Sequence, residues 1–254
     1  MKALLNLILL LIFIFIWYRP VLKRHKEIGG YVDRKTEYKA LFFGLVPAAI
    51  VLLLAENALG WIFKLTGASD HKVLMCFLKA FIMYGCIEEA VKYGFARLAL
   101  RKLERVKKID IMIVFGFVGM GYEIAESMLI ADPLAGIARG IFVAHIMYQF
   151  VMGHFFFESI HAKNLGNDAD AKKNMFYSLA IPMLIHGIND LFCELAGVFQ
   201  ERIPNTGSPD ISAIQYLPAI VCVVMIIITN IFCLVWGLKL TKKDPDVEAI
   251  LPDC

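Results

Sequence analysis

Residues 213–238 read AIQYLPAIVCVVMIIITNIFCLVWGL, 26 residues without one charged side chain. A helix needs about 20 predominantly apolar residues to cross the roughly 30 Å hydrocarbon core of a bilayer. This stretch is longer than that and more apolar than any soluble core helix requires. Six other stretches share its character: residues 4–18, 40–63, 81–100, 109–130, 137–160 and 176–199. The first follows Lys2 like a signal peptide. It lacks a small-x-small cleavage site and ends in Trp17, Tyr18 and Arg19, an interfacial anchor, so it reads as an uncleaved helix.

The composition agrees with this pattern. Of 254 residues, 59% are hydrophobic and 19% charged, and the mean hydropathy is +0.66. A soluble domain is closer to one quarter charged. The net charge of +3 is small and the basic residues fall in short runs between apolar stretches, which excludes a nucleic-acid-binding surface. Cys76, Cys86, Cys193, Cys222, Cys233 and Cys254 form no CxxC or Cys/His cluster and read as small apolar fillers.

Charge then orients the spans. Arg19, Lys23, Arg24, Lys26, Arg34, Lys35 and Lys39 lie between the first two stretches, and Arg101, Lys102, Arg105, Lys107 and Lys108 between the third and fourth. Lys163, Lys172 and Lys173 precede the sixth, and Lys239, Lys242 and Lys243 follow the seventh. The alternate connections hold only Lys64, Lys72 and Lys79, then Arg139, then Arg202. Cytoplasmic loops concentrate Lys and Arg. The expectation is an all-α, polytopic membrane helix bundle of about seven transmembrane helices, N-terminus outside and C-terminus cytoplasmic. It forms a single integral membrane domain over 1–254, with 203–212 as an external connection and 244–254 as a loose cytoplasmic tail.

Ionisable residues are costly inside a bilayer and mark function by default. The middle spans hold Glu88, Glu89, Lys92, Glu123, Glu126, His145, His154, Glu158, His186 and Asp190. The last span offers only Thr229 and Asn230. At about 1.5 Å per residue, Glu88, Glu126, His145 and Asp190 fall within roughly 10 Å of one another in depth, in the outer half of the membrane. Lys92 lies four residues after Glu88 and three after Glu89, within reach of both. The two glutamates are about 100° apart around the helix, so their environments differ. One can be the ionised partner of Lys92 while the other moves protons. His186 and Asp190 share a face, with Gly187 between them allowing close approach. His145 and Gln149 form a similar stripe, and His154 points about 180° away from His145.

Glu88-Glu89-Ala90-Val91-Lys92 resembles the EExxK motif of PrsW-type intramembrane proteases. Gly121-Tyr122-Glu123-Ile124-Ala125-Glu126 resembles their second motif, an aromatic residue followed four positions later by glutamate. His145 with Gly153, and His186-Gly187-Ile188-Asn189-Asp190, resemble the third and fourth. The motifs keep the family's order on successive spans, and the resemblance covers a catalytic core at approximately 81–199. Tyr122 stands where phenylalanine is usual, and Ser127 follows Glu126 where asparagine is common. The family is related to the type II CAAX prenyl proteases and bacteriocin-processing enzymes. The resemblance implies hydrolysis of a peptide bond within the membrane of a membrane-anchored protein, such as an anti-sigma-factor-like regulator, in a bacterial cytoplasmic membrane.

Amide hydrolysis needs an activated water, a stabiliser for the oxyanion and a proton for the leaving amine. Two routes fit. In a metal route Glu126, His145 and His186 bind Zn²⁺ and Glu88 or Glu89 is the base. In a glutamate route Glu88 activates water, the histidines orient it and donate, and Asp190 fixes an imidazole. A lone Glu–Lys pair is more often a neutralised ion pair, and a lone membrane histidine more often an interhelical hydrogen bonder; the ordered set of four motifs favours catalysis. Glu56, Glu123, His154 and Glu158 read as span-end, packing or cavity groups. The rivals are a proton- or ion-coupled transporter, disfavoured by the lack of an inverted repeat, and a catalytically inactive membrane scaffold.

Overall fold

The computed structural model describes residues 2–67, 71–129, 142–201 and 216–251. The connection at 203–212, the loop cations Arg139 and Arg202, and the side chain of Glu56 lie outside the described residues. Helix α1 spans Lys2–Glu27. Asp33 then caps α2 (Arg34–Leu65) by accepting a hydrogen bond from the Thr36 N–H at 2.8 Å. Within α2 a wider π-type turn covers Gly44–Ala48, where Pro47 supplies no N–H to the ordinary ladder.

Helix α3 runs over residues 72–100 and is α-helical at Lys72–Leu78 and Glu89–Leu100. Between them lies a ten-residue π-helical stretch, Lys79–Glu88. Then follow α4 (Lys108–Leu129), α5 (Ala144–Asn164), α6 (Asp168–Glu201) and α7 (Leu217–Leu240). Among the described residues the fold is all-α apart from one short antiparallel pair, β1 (Arg105–Lys107) with β2 (Glu248–Ile250).

Among the described residues, four helical runs are long and apolar enough to cross a membrane: Arg34–Leu65, Lys108–Met128, Asp168–Glu201 and Leu217–Leu240. Helices α3 and α5 hold Glu88, Glu89, Lys92, His145, His154 and Glu158, which lowers their mean hydropathy. On α7, Ile220, Val224, Ile228, Ile231 and Val235 are exposed while Cys222, Asn230, Cys233 and Gly237 face inward. An apolar face of that extent is stable against lipid tails and a liability in water. Helix α4 is the central post. Its Met112, Phe115 and Val118 pack in one core with Phe150, Val151 and Met152 of α5.

Several connections meet at one end of the bundle. Lys107 Nζ donates to the Ile28 carbonyl at 2.6 Å, and the Tyr31 hydroxyl donates to Glu248 Oε1 at 2.7 Å. Asn164 Oδ1 accepts from the Ile250 N–H at 2.7 Å, and the Leu251 N–H donates to the Glu104 carbonyl at 2.9 Å. The segment after α7 is therefore anchored as far as Leu251, which corrects the reading of 244–254 as a loose tail. Val247, Ala249 and Leu251 alternate with Glu248 and Ile250, a period-two pattern that buries Ala249. Residues 252–254 lie outside the described residues.

Candidate active site

Helices α3 and α6 approach closely through small residues. A Cβ on Gly187 would stand 2.6 Å from the Phe81 ring and 3.2 Å from the Ala80 carbonyl oxygen. That proximity lets His186 Nδ1 meet Glu89 Oε1 at 2.8 Å. A second close approach joins α4 to α5, where a Cβ on Gly119 would lie 2.6 Å from the His145 carbonyl oxygen. The glycine allows the turn of α4 carrying Glu123 and Glu126 to face the start of α5.

Lys92 sits at the junction, fully buried. Its Nζ donates to Glu89 Oε1 at 2.7 Å, to Glu88 Oε2 at 3.3 Å and to His145 Nδ1 at 2.9 Å, and stands 4.0 Å from the centre of the Tyr122 ring. An ammonium only donates, so His145 Nδ1 accepts and the ring proton is on Nε2. That nitrogen donates to Glu126 Oε2 at 2.7 Å.

Glu89 is held on three sides: by Lys92, by His186, and by Gln149 Nε2 at 2.7 Å from Oε2. Glu88 is held at longer range, by Lys92 at 3.3 Å and with His186 Nε2 at 3.8 Å. Asp190 Oδ2 lies 3.2 Å from His186 Nε2. Carboxylate oxygens thus face both nitrogens of His186, so a proton on either finds an acceptor.

The structure brings Glu88, Glu89, Lys92, Glu126, His145, His186 and Asp190 into one connected cluster. Glu123 joins them. Its Oε2 accepts from the His145 backbone N–H at 3.1 Å. The first N–H groups of a helix lack intrahelical acceptors. Glu123 therefore caps α5 from the neighbouring helix, and its charge suits the positive end of the dipole. His154 is elsewhere, 3.9 Å from Glu158, whose Oε1 accepts from Lys108 Nζ at 2.6 Å.

Two residues of the region were not read as site residues from the sequence. The Tyr148 ring stacks on His186, centroids 5.0 Å apart at 28°, and Asn230 of α7 donates to Asn189 Oδ1 at 2.9 Å. Both line a cavity of about 340 Å³ beside the histidines, together with His145, His186 and Asp190. The spacing of Tyr148 three residues after His145 on one helix face was the available clue.

Glu88, Glu89, His145 and His186 each present one ligand atom within 4.8 Å of the others, and all four are buried. Imidazole nitrogens and carboxylate oxygens are the donors of catalytic zinc sites, so the set fits a divalent ion. Glu126 meets His145 but lies outside this convergence, whose carboxylates are Glu88 and Glu89. The Lys92 ammonium touches three of the four residues, so an ion and Lys92 compete for the same donors.

Residues 35–229 match the family described as PrsW family intramembrane metalloprotease. The protein named Protease PrsW from Clostridioides difficile (strain 630) is 28% identical over 152 residues, covering 56% of this chain and 60% of that protein. The match therefore spans less than two thirds of that relative's length. No solved structure matches.

Proposed function

The chain belongs to the PrsW family of intramembrane metalloproteases, and from that premise we propose that it hydrolyses a peptide bond, in or near the membrane, of a membrane-anchored protein such as an anti-sigma-factor-like regulator. The observation that carries this reading is a buried cluster of two carboxylates, two imidazoles and one ammonium whose imidazoles, His145 and His186, line a cavity between helices. Structural ion pairs need no cavity beside them, whereas hydrolysis needs room for substrate and water.

The residues divide by how tightly they are held. Glu88, the less constrained carboxylate, is the base that takes a proton from water. Glu89, fixed by Lys92, His186 and Gln149, aligns the imidazole of His186. His186, flanked also by Asp190, passes a proton to the leaving amine. Lys92 balances the charge of the two glutamates, and Glu126 fixes the ring of His145. His145 and His186 with Glu88 or Glu89 are the residues that would hold Zn²⁺. The ion when bound would polarise the scissile carbonyl and make a water more acidic.

The same proposal takes the chain as a single domain of seven spans, with the core at 81–199, in a bacterial cytoplasmic membrane. Helices α1, α3 and α5 complete the seven alongside the four strongly apolar runs. The gathering of the α1–α2 and α3–α4 connections, the end of α5 and the post-α7 segment at one end supports the odd count. These are the Lys/Arg-rich connections, a bias that supports a cytoplasmic setting for that end.

The test is reconstitution in lipid vesicles with a panel of fluorogenic single-span peptides. Wild type is expected to cleave at least one, and Glu89→Ala none. Failure on the whole panel, or equal cleavage by the variant, overturns the reading.

A further inference from the structure

Three buried polar atoms beside the site have no partner among the described residues: Gln149 Oε1, whose residue does not line the cavity, and the Tyr148 hydroxyl and Asn230 Oδ1, whose residues do. Tyr148 is 1% exposed and Asn230 6%. Native proteins leave few such atoms unpaired, and each one calls for an explanation. Here both residues line the same cavity.

The orientation of Asn230 follows from its neighbours. The Asp190 carboxylate accepts from Asn189 Nδ2 at 3.2 Å, which turns Asn189 Oδ1 towards α7. That oxygen accepts from Asn230 Nδ2 at 2.9 Å, and the Ile226 carbonyl accepts from the same nitrogen at 2.9 Å. Both amide protons of Asn230 are thereby used, and its oxygen is left over as an acceptor. Tyr148 is held by stacking on His186 and by edge contact with His145, centroids 5.9 Å apart at 87°. Its hydroxyl is left over as a donor.

A donor and an acceptor are what a peptide backbone needs. A segment drawn out of its helix for cleavage exposes N–H and C=O groups that hydrocarbon cannot satisfy. We infer that Tyr148 and Asn230 grip the substrate backbone, Tyr148 donating to the scissile carbonyl oxygen and Asn230 Oδ1 accepting from a nearby peptide N–H. This rests on the protease reading above.

The chemistry balances without a proton from Tyr148. Water oxygen bonds to the carbonyl carbon, its proton passes to Glu88, and the C=O π pair moves onto oxygen, where the Tyr148 O–H bonds to it. On collapse the C–N bond breaks and the amine nitrogen takes a proton from His186. Glu88 then returns its proton to His186, whose Nε2 lies 3.8 Å from Glu88 Oε2. Tyr148 is thus a further catalytic residue and Asn230 a binding one.

The experiment uses the vesicles and peptides described above, with full-length Tyr148→Phe and Asn230→Ala. A hydroxyl unpaired in the free protein adds nothing to its stability, so Tyr148→Phe should keep or raise the melting temperature. It should lower kcat about 100-fold with KM little changed. Asn230→Ala should raise KM about tenfold. Peptides in which each backbone N–H around the cleaved bond is replaced in turn by an ester oxygen supply the final arm. One such ester should weaken wild type about tenfold and Asn230→Ala no further.

If wild type cleaves none of the peptides, the protease reading falls and this inference with it. If wild type cleaves while Tyr148→Phe retains kcat, or loses it together with melting temperature, the inference alone is overturned. Ester and Asn230→Ala losses that multiply overturn it as well.

Discussion

Lys92 Nζ lies 2.9 Å from His145 Nδ1, linking α3 to α5 across the bundle. This contact sets the tautomer of His145, since the ammonium can only donate, and so turns the Nε2 proton towards Glu126. It also puts a positive charge among the groups that a metal ion would use. One lysine therefore governs the charge balance, the orientation of an imidazole and the access of an ion.

Replacing Lys92 by methionine should leave Glu88 and Glu89 buried without their cation. Breaking a buried pair from one side costs about 3–5 kcal/mol. The expected result is a clear drop in melting temperature in detergent and loss of cleavage, with whatever folded protein remains binding Zn²⁺ more tightly in equilibrium dialysis. Zinc binding equal to or weaker than that of wild type would show that Lys92 does not compete for the donors.

Glu88 and Glu89 should separate on stability. Glu89→Gln disturbs bonds to Lys92, His186 and Gln149 and should cost about 2–3 kcal/mol, in the range of hydrogen bonds to charged groups. Glu88→Gln should cost less than half as much and still abolish cleavage. Thermal unfolding beside a cleavage assay checks both, and an active Glu88→Gln protein would remove Glu88 from the role of base.

Gly119 sets the distance between α4 and α5. An alanine Cβ there would press on the His145 backbone and on Gln149 Cγ, 2.8 Å away. Gly119→Ala should destabilise by about 1–3 kcal/mol and reduce cleavage more than tenfold, because geometry shifts of this kind strongly affect rate. Wild-type activity in this variant would mean that the Glu126–His145 contact tolerates helix displacement.

The α2 cap has a pH signature. The Thr36 N–H bonded to its carboxylate holds Asp33 below the ordinary carboxylate range. A depressed folded pKa adds stability that is present above the unfolded pKa and lost as pH falls through the folded one. Asp33→Ala should cost about 1 kcal/mol near neutrality, and the gap should close as the medium is acidified below the ordinary carboxylate range. A gap that stays constant with pH would show that the cap does not act through charge.

The charged part of the site was legible because bilayer physics singles it out. Glu88, Glu89 and Lys92 interrupt an apolar stretch, and the roughly 100° between the glutamates foretold unequal surroundings. Their partners Glu126, His145 and His186 stood out for the same reason. Tyr148 did not stand out, because a tyrosine fits an apolar span, and Asn230 stood out only as a polar side chain of the last span, because an amide in a membrane helix usually bonds its own backbone. That the Asn230 oxygen is left over depends on Asn189 and Asp190 of another helix, which spacing along one span cannot reveal. Glu123 was read as an extra carboxylate because helix capping across a helix boundary has no local sequence mark. The β2 strand was missed because its alternation lasts only five residues.

If this cluster hydrolyses a peptide bond, the oxygen it adds comes from water, and cleavage in heavy-oxygen water reads that oxygen in the product. Vesicles holding the protein and a single-span peptide would be equilibrated in labelled water and the products weighed by mass spectrometry. Wild type is expected to give one heavy oxygen in the new C-terminal carboxylate, and Glu88→Gln or Glu89→Gln no product at equal amounts of folded protein. Intact peptide with wild type, or labelled product formed equally by both variants, would contradict hydrolysis by this cluster.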